Sequence, residues 1–212
     1  MRRIQIGDYV EDVIERSDYP MDKVREILGR ERIGVIGYGP QGHGQSLNCR
    51  DNGIEVVVGQ RRGGNGWKKA VEDGWEPGVN LIEDITEVVE RSTLVMYLLS
   101  DAGQGAQWPN IKPHFKPGDA ICFSHGFALT YNDQTGVVPP PDIDVILVAP
   151  KGSGTTVRRL FLEGRGDQFQ LRGGSGLHGP RPGALPGLGN RHRVRVPFRD
   201  RLQKGGLQRP DG

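Results

Sequence analysis

Gly37-Tyr-Gly-Pro-Gln-Gly42 sets three glycines two and three positions apart, directly after the apolar run Arg32-Ile-Gly-Val-Ile36. In such a turn the first glycine allows a tight bend, the second lets backbone approach a pyrophosphate, and the third lets helix and strand pack closely. A helix opening at this point adds free N–H groups and the positive end of its dipole. Gly37, Gly39 and Gly42 are therefore expected to cradle a dinucleotide. An NAD site usually places an acidic residue about 20 positions further on, at the end of the next strand. After Ile54-Glu-Val-Val-Val58 this chain instead has Gly59-Gln-Arg-Arg-Gly-Gly64. The guanidiniums of Arg61 and Arg62 at that corner suit a 2′-phosphate, which favours NADP(H).

Three more polar loops follow apolar runs: Leu99-Ser-Asp-Ala-Gly-Gln104, Phe123-Ser-His-Gly-Phe127 and Ala149-Pro-Lys-Gly-Ser-Gly154. His125 and Lys151, aimed at one cleft, could polarise a carbonyl or move protons; taken singly, His125 is as readily structural. His43, Trp67, Trp75 and Trp108 read as packing or surface residues.

The elements that must position these loops alternate. Residues 8–28 read as an irregular arm and a short helix, with Ser17 or Asp18 as its cap, Pro20 near its first turn and Gly29 as its stop. Strands are expected at 32–37, 54–58, 94–99, 120–123 and 144–148. Helices are expected at 41–52, 66–73, 83–91 and 102–115. Short apolar strands alternating with helices mean an α/β fold, a Rossmann-type doubly wound parallel sheet. The reading divides the chain into an N-terminal arm and short helix (1–30), an NADP-binding domain (31–166) and a Gly/Arg/Pro-rich tail (167–212).

The 212 residues suit one domain with an appendage. No apolar run approaches the roughly 18–20 residues of a membrane span, and no membrane partner is expected. The start lacks the apolar stretch of a secretory signal, and Cys49 and Cys122 suggest neither a disulfide framework nor a zinc site. Together these point to a soluble protein of a bacterial cytoplasm, with a mitochondrion or plastid as the alternative. Charge is uneven: residues 1–166 carry a net −4 and residues 167–212 a net +6. The tail holds 10 Gly, 5 Pro and 8 Arg, a composition that cannot offset the entropy of ordering it.

Four segments together resemble ketol-acid reductoisomerase: Gly37-Tyr-Gly-Pro-Gln-Gly42, Ser124-His-Gly-Phe127, Asp142-Ile-Asp-Val-Ile-Leu-Val-Ala-Pro-Lys-Gly-Ser-Gly154 and Thr156-Val-Arg-Arg-Leu-Phe-Leu-Glu-Gly-Arg-Gly166. The resemblance runs from about residue 8 to residue 166. It implies an NADP-binding Rossmann domain, then an all-helical domain carrying metal carboxylates, in a homo-oligomer. The implied substrate is a 2-hydroxy-2-keto acid, 2-acetolactate, converted to 2,3-dihydroxy-isovalerate in valine and isoleucine synthesis. Two Mg²⁺ ions drive an alkyl migration and NADPH reduces the resulting keto acid. The implied cofactor contacts are Tyr38, Gly39, Pro40, Gln41, Arg61, Asp101, Gln104 and Gly154. His125 is implied as the active-site histidine, and Lys151 lies near the metal site. The family often has serines in the 2′-phosphate loop where this chain has Gly64 and Gly66, which leaves the grip to arginine and backbone N–H groups.

The resemblance stops at Gly166. Read one base further on, allowed codons for Asp167–Gly176 spell Ile-Asn-Ser-Ser-Phe-Ala-Val-Val-Gln, close to the family's continuation. Asn190–Val196 likewise yields Ile-Ala-Ile-Gly-Ser-Gly-Tyr, and Lys204–Asp211 yields Lys-Glu-Val-Tyr-Ser-Asp-Leu-Thr, which holds a family metal-binding aspartate. The tail is therefore expected to be out of frame and disordered, without the ligands for Mg²⁺. The chain is expected to bind NADPH but to be inactive alone. The alternative is a non-catalytic NADP-binding protein whose basic tail binds nucleic acid. A dehydrogenase of another small hydroxy acid rests on the fold alone.

Overall fold

The computed structural model describes residues 2–6, 9–13, 18–165 and 169–174. At the N-terminus β1 (Arg2–Ile6) and β2 (Tyr9–Val13) pair antiparallel, with Ile6 opposite Tyr9, and α1 (Met21–Leu28) follows. The chain then alternates: β3 (Ile33–Ile36), α2 (Pro40–Asp51), β4 (Val56–Gly59), α3 (Asn65–Glu72), β5 (Leu81–Ile82), α4 (Ile85–Arg91), β6 (Leu94–Tyr97), α5 (Asp101–Ile111) and β7 (Ala120–Phe123). The short helices α6 (Phe127–Thr130) and α7 (Asn132–Thr135), then β8 (Asp144–Pro150), α8 (Gly154–Leu162) and β9 (Phe169–Gly174), complete it. The sheet order is β5-β4-β3-β6-β7-β8-β9, with every pair parallel except β8–β9. The six parallel strands have the order of a doubly wound dinucleotide fold, and the direction of winding reverses between β3 and β6.

Alternate residues of each strand feed two cores. Ile33, Val35, Val56, Val58, Met96 and Cys122 face one layer, where they meet Leu47 of α2, Ala70 of α3 and Trp75. Ile36, Val95, Tyr97, Ile121 and Phe123 face the other, against Val88 and Val89 of α4 and Trp108 and Ile111 of α5. With both faces covered, a strand needs no polar alternation, which is why β3 and β7 are buried at all four positions. Helices α2 and α8 cross closely because both carry glycine there: a Cβ on Gly44 would lie 2.4 Å from the Gly154 carbonyl oxygen. Arg158 fastens the crossing, donating to Asn48 Oδ1 at 2.9 Å and pairing with Asp51 at 2.7 Å.

Three expectations need correction. Strands β1 and β2, paired from Arg2 opposite Val13 to Ile6 opposite Tyr9, replace an irregular start to the chain. Helix α1 begins behind Pro20 with no side-chain cap, since Pro fixes an extended entry by itself; Asp18 does not cap it, and Ser17 lies outside the described residues. Past Gly166, residues 169–174 form β9, because the open edge of β8 presents unpaired N–H and C=O groups that any extended segment can satisfy. The rest of the tail, 175–212, lies outside the described residues. Four elements had no counterpart in the sequence reading: β5, α6, α7 and α8.

Candidate functional site

The turn after β3 is shaped by backbone contact. Gly37 has φ +99°, in the left-handed region, and a Cβ there would sit 3.0 Å from the Leu98 carbonyl. At Gly42 a Cβ would come within 1.9 Å of the Gly37 carbonyl oxygen. Gly39 is different, for no protein atom lies within 4 Å of where its Cβ would be. The space above Gly39 is open, as a backbone that receives a ligand requires. Gly39 is also the N-cap of α2 and gives no side-chain cap, and Pro40 follows it without an N–H. Gln41 and Gly42 follow in the first turn, at the positive end of the helix.

Beside the turn, Arg61 and Arg62 are exposed and make no hydrogen bond or ion pair among the described residues. They precede Gly64, which opens α3 without a side-chain cap. Gln60, at the end of β4, accepts the Tyr38 N–H on Oε1 at 2.8 Å and so ties this corner to the glycine turn. The sequence reading passed over Gln60, although its place where other sites carry an acidic residue was visible.

Several residues implied as cofactor contacts hold the crevice from behind. Tyr38 is 4% exposed; its phenol donates to Asp73 Oδ2 at 3.0 Å and accepts from Trp75 Nε1 at 2.7 Å. Burial pushes its pKa up. Gln104 is fully buried and donates to the carbonyls of Tyr97 and Leu99 at 3.2 and 3.0 Å, locking β6 to α5. Gly154 lets α8 start against the Pro40 carbonyl oxygen, 1.8 Å from where a Cβ would be. The Gln41 side chain donates from Nε2 to the Gly152 carbonyl at 3.2 Å and holds the Lys151 loop against α2. Lys151 itself is exposed, with no hydrogen bond or ion pair among the described residues.

At the other side of the switch point Asp101, the first residue of α5, places Oδ1 3.5 Å from Nε2 of His125 in the loop after β7. The two are about half exposed, and Asp101 lines a cleft of about 340 Å³ between α5 and the α6–α7 pair. Phe127 lines the cleft and stacks on Tyr131 at 4.8 Å. Among the described residues no three His, Cys, Asp or Glu side chains converge to hold a metal, so a divalent ion would need carboxylates from elsewhere. Cys49 and Cys122 are free thiols whose pKa values burial pushes up to about 11 and about 12, which removes them as nucleophiles. Among the described residues no helix is long and apolar enough to cross a membrane.

Strand order, glycine turn and open crevice define the class: a Rossmann-type dinucleotide-binding domain. The family model "Acetohydroxy acid isomeroreductase, NADPH-binding domain" matches residues 27–170. This chain belongs to that family, the ketol-acid reductoisomerases. A mitochondrial ketol-acid reductoisomerase of Neurospora crassa is 51% identical over 166 residues, 78% of this chain and 41% of that protein. A ketol-acid reductoisomerase (NAD(+)) of Desulfosudis oleivorans is also 51% identical over 166 residues, 78% of this chain and 47% of its own. The solved NADH-preferring ketol-acid reductoisomerase from an uncultured archean superposes with a TM-score of 0.68 at 38% identity, covering 78% of this chain and 48% of that one. The chain spans less than half the length of each of these relatives.

Proposed function

We propose that this chain is the NADP(H)-binding half of a ketol-acid reductoisomerase that converts 2-acetolactate to 2,3-dihydroxy-isovalerate. One observation carries the reading: Gly37 and Gly42 are demanded by backbone contact while Gly39 between them faces open space. NADPH, when bound, supplies the hydride that reduces the keto acid. The chain's own groups receive it. Gln41 and Gly42 offer amides to the pyrophosphate, and Arg61 and Arg62 offer charge to the 2′-phosphate. Arginine is the ground for choosing NADP(H), since two of the relatives are named for NAD(+) or NADH. His125, with Asp101 beside Nε2, is placed to hold or pass a proton at that atom. The free ammonium of Lys151 offers positive charge to an acidic substrate. Mg²⁺ belongs with carboxylates beyond the described residues, and no step is assigned to it in this chain.

Residues 167–212 are read as out of frame, supported by a family match that ends at residue 170. Resequencing the DNA around codon 166 tests that. The name of the Neurospora relative supports a mitochondrial address over a bacterial cytoplasm. Oligomerisation would be read by light scattering. For function, the purified chain is titrated with NADPH and with NADH while tryptophan emission and Tm are followed, and is then assayed with acetolactate. The expected result is saturable binding, tighter for NADPH, without turnover. If neither nucleotide moves emission or Tm, the dinucleotide reading is wrong; measurable turnover would overturn the inactive half.

A further inference from the structure

In the turn Gly37-Tyr38-Gly39 only the central residue has a side chain with which to anchor the backbone. Glycine gives that turn its shape and also its freedom, because it has the most conformational entropy to lose. Tyr38 is pinned at two ends. Gln60 holds its N–H, and Asp73, 35 residues away at the end of α3, accepts its phenol. The Asp73 carboxylate is 15% exposed and gathers donors from two layers of structure. Oδ2 takes the Tyr38 phenol at 3.0 Å and lies 3.3 Å from His43 Nε2 in the first turn of α2. Oδ1 takes the Lys69 ammonium at 2.9 Å. Trp75 Nε1 donates to the Tyr38 oxygen at 2.7 Å, and Arg50 donates to the Asp73 carbonyl at 2.9 Å while lying over the Trp75 ring at 4.7 Å.

From this convergence we infer that Asp73 is a positioning residue for the dinucleotide turn, acting through Tyr38 and His43. The inference rests on the reading of Gly37–Gly42 as the cofactor cradle for its functional consequence only. The physical requirement is charge and valence. Tyr38 donates its proton to Asp73 and accepts one from Trp75, so a strong acceptor at 73 orients the whole relay. Asn at 73 keeps the shape but can present an oxygen to Tyr38 only by turning its NH₂ toward the Lys69 ammonium.

The test uses the full chain and the variants Asp73→Asn, Tyr38→Phe, the double variant, and Lys112→Met, at an exposed residue outside the relay, as a surface control. Amide hydrogen exchange reads the turn without ligand, and NADPH titration reads its use. The expected result for Asp73→Asn is faster exchange at the hydrogen-bonded amides of Gly37, Tyr38 and His43 with β6 and β7 unchanged, altered emission from Trp75, and about tenfold weaker NADPH binding, the size of one lost charge-assisted hydrogen bond. The double variant binds no more weakly than the worse single variant, because both changes cut one relay. Lys112→Met stays within about twofold of the parent chain. Unchanged exchange at Gly37, Tyr38 and His43, or additive losses, overturns the inference. If the parent chain binds no dinucleotide while Asp73→Asn still loosens the turn, the cofactor reading fails and the positioning role stands. Should Asp73→Asn not fold, Tyr38→Phe carries the same exchange test.

Discussion

Asp101 Oδ1 stands 3.5 Å from His125 Nε2, joining the first turn of α5 to the loop after β7 across the sheet's carboxyl edge. Both side chains are about half in water, where an ion pair stabilises a fold by about 0–1 kcal/mol. Asp101→Ala and His125→Gln are therefore expected to change urea-unfolding stability by less than about 1 kcal/mol. A larger loss would make the pair a structural one.

Gly39 and Gly42 separate binding from folding. Gly42→Ala drives a Cβ to within 1.9 Å of a carbonyl oxygen, and a drop in stability of about 1–3 kcal/mol is expected. Gly39→Ala meets no protein atom, so Tm stays put while NADPH binding weakens. Thermal melts and titrations of the two variants read the contrast directly.

Arg61→Ala combined with Arg62→Ala removes two unpartnered guanidiniums. NADPH affinity is expected to fall about tenfold or more, at roughly 1.5–3 kcal/mol for charged hydrogen bonds, and NADH affinity to stay nearly constant. The salt dependence of NADPH binding should flatten as well. Equal losses for both nucleotides would point away from the 2′-phosphate.

His43 sets a pH dependence. Burial lowers its pKa below 6.5 more strongly than Asp73 raises it, with Lys69 and Arg158 also lowering it. Its Nε2 lies 3.3 Å from Asp73 Oδ2. Because the folded pKa is depressed, the unfolded chain binds more protons once pH drops below about 6.5. Stability from this group is full above that value and is lost as pH falls through the folded pKa. His43→Gln is expected to lose less Tm than the parent chain between pH 7 and pH 5.

The strands were legible where burial on both faces writes an unbroken apolar run: 120–123 was expected at its observed ends, and 32–37 contains β3. Two-residue β5 and four-residue α6 and α7 are too short to show a period. Strand β9 owes its place to the edge of β8 rather than to its own composition.

At the site, the sharp bend at Gly37, the close backbone approach at Gly42 and the exposed charges of Arg61 and Arg62 were open to a local reading, because a tight turn and a surface charge are properties of a few adjacent residues. The roles of Tyr38, Gln60, Gln104 and Asp73 were decided only when the sheet brought distant segments together. Whether a tyrosine faces a ligand or a buried carboxylate depends on what lies 35 residues away, and no spacing within the glycine turn encodes that.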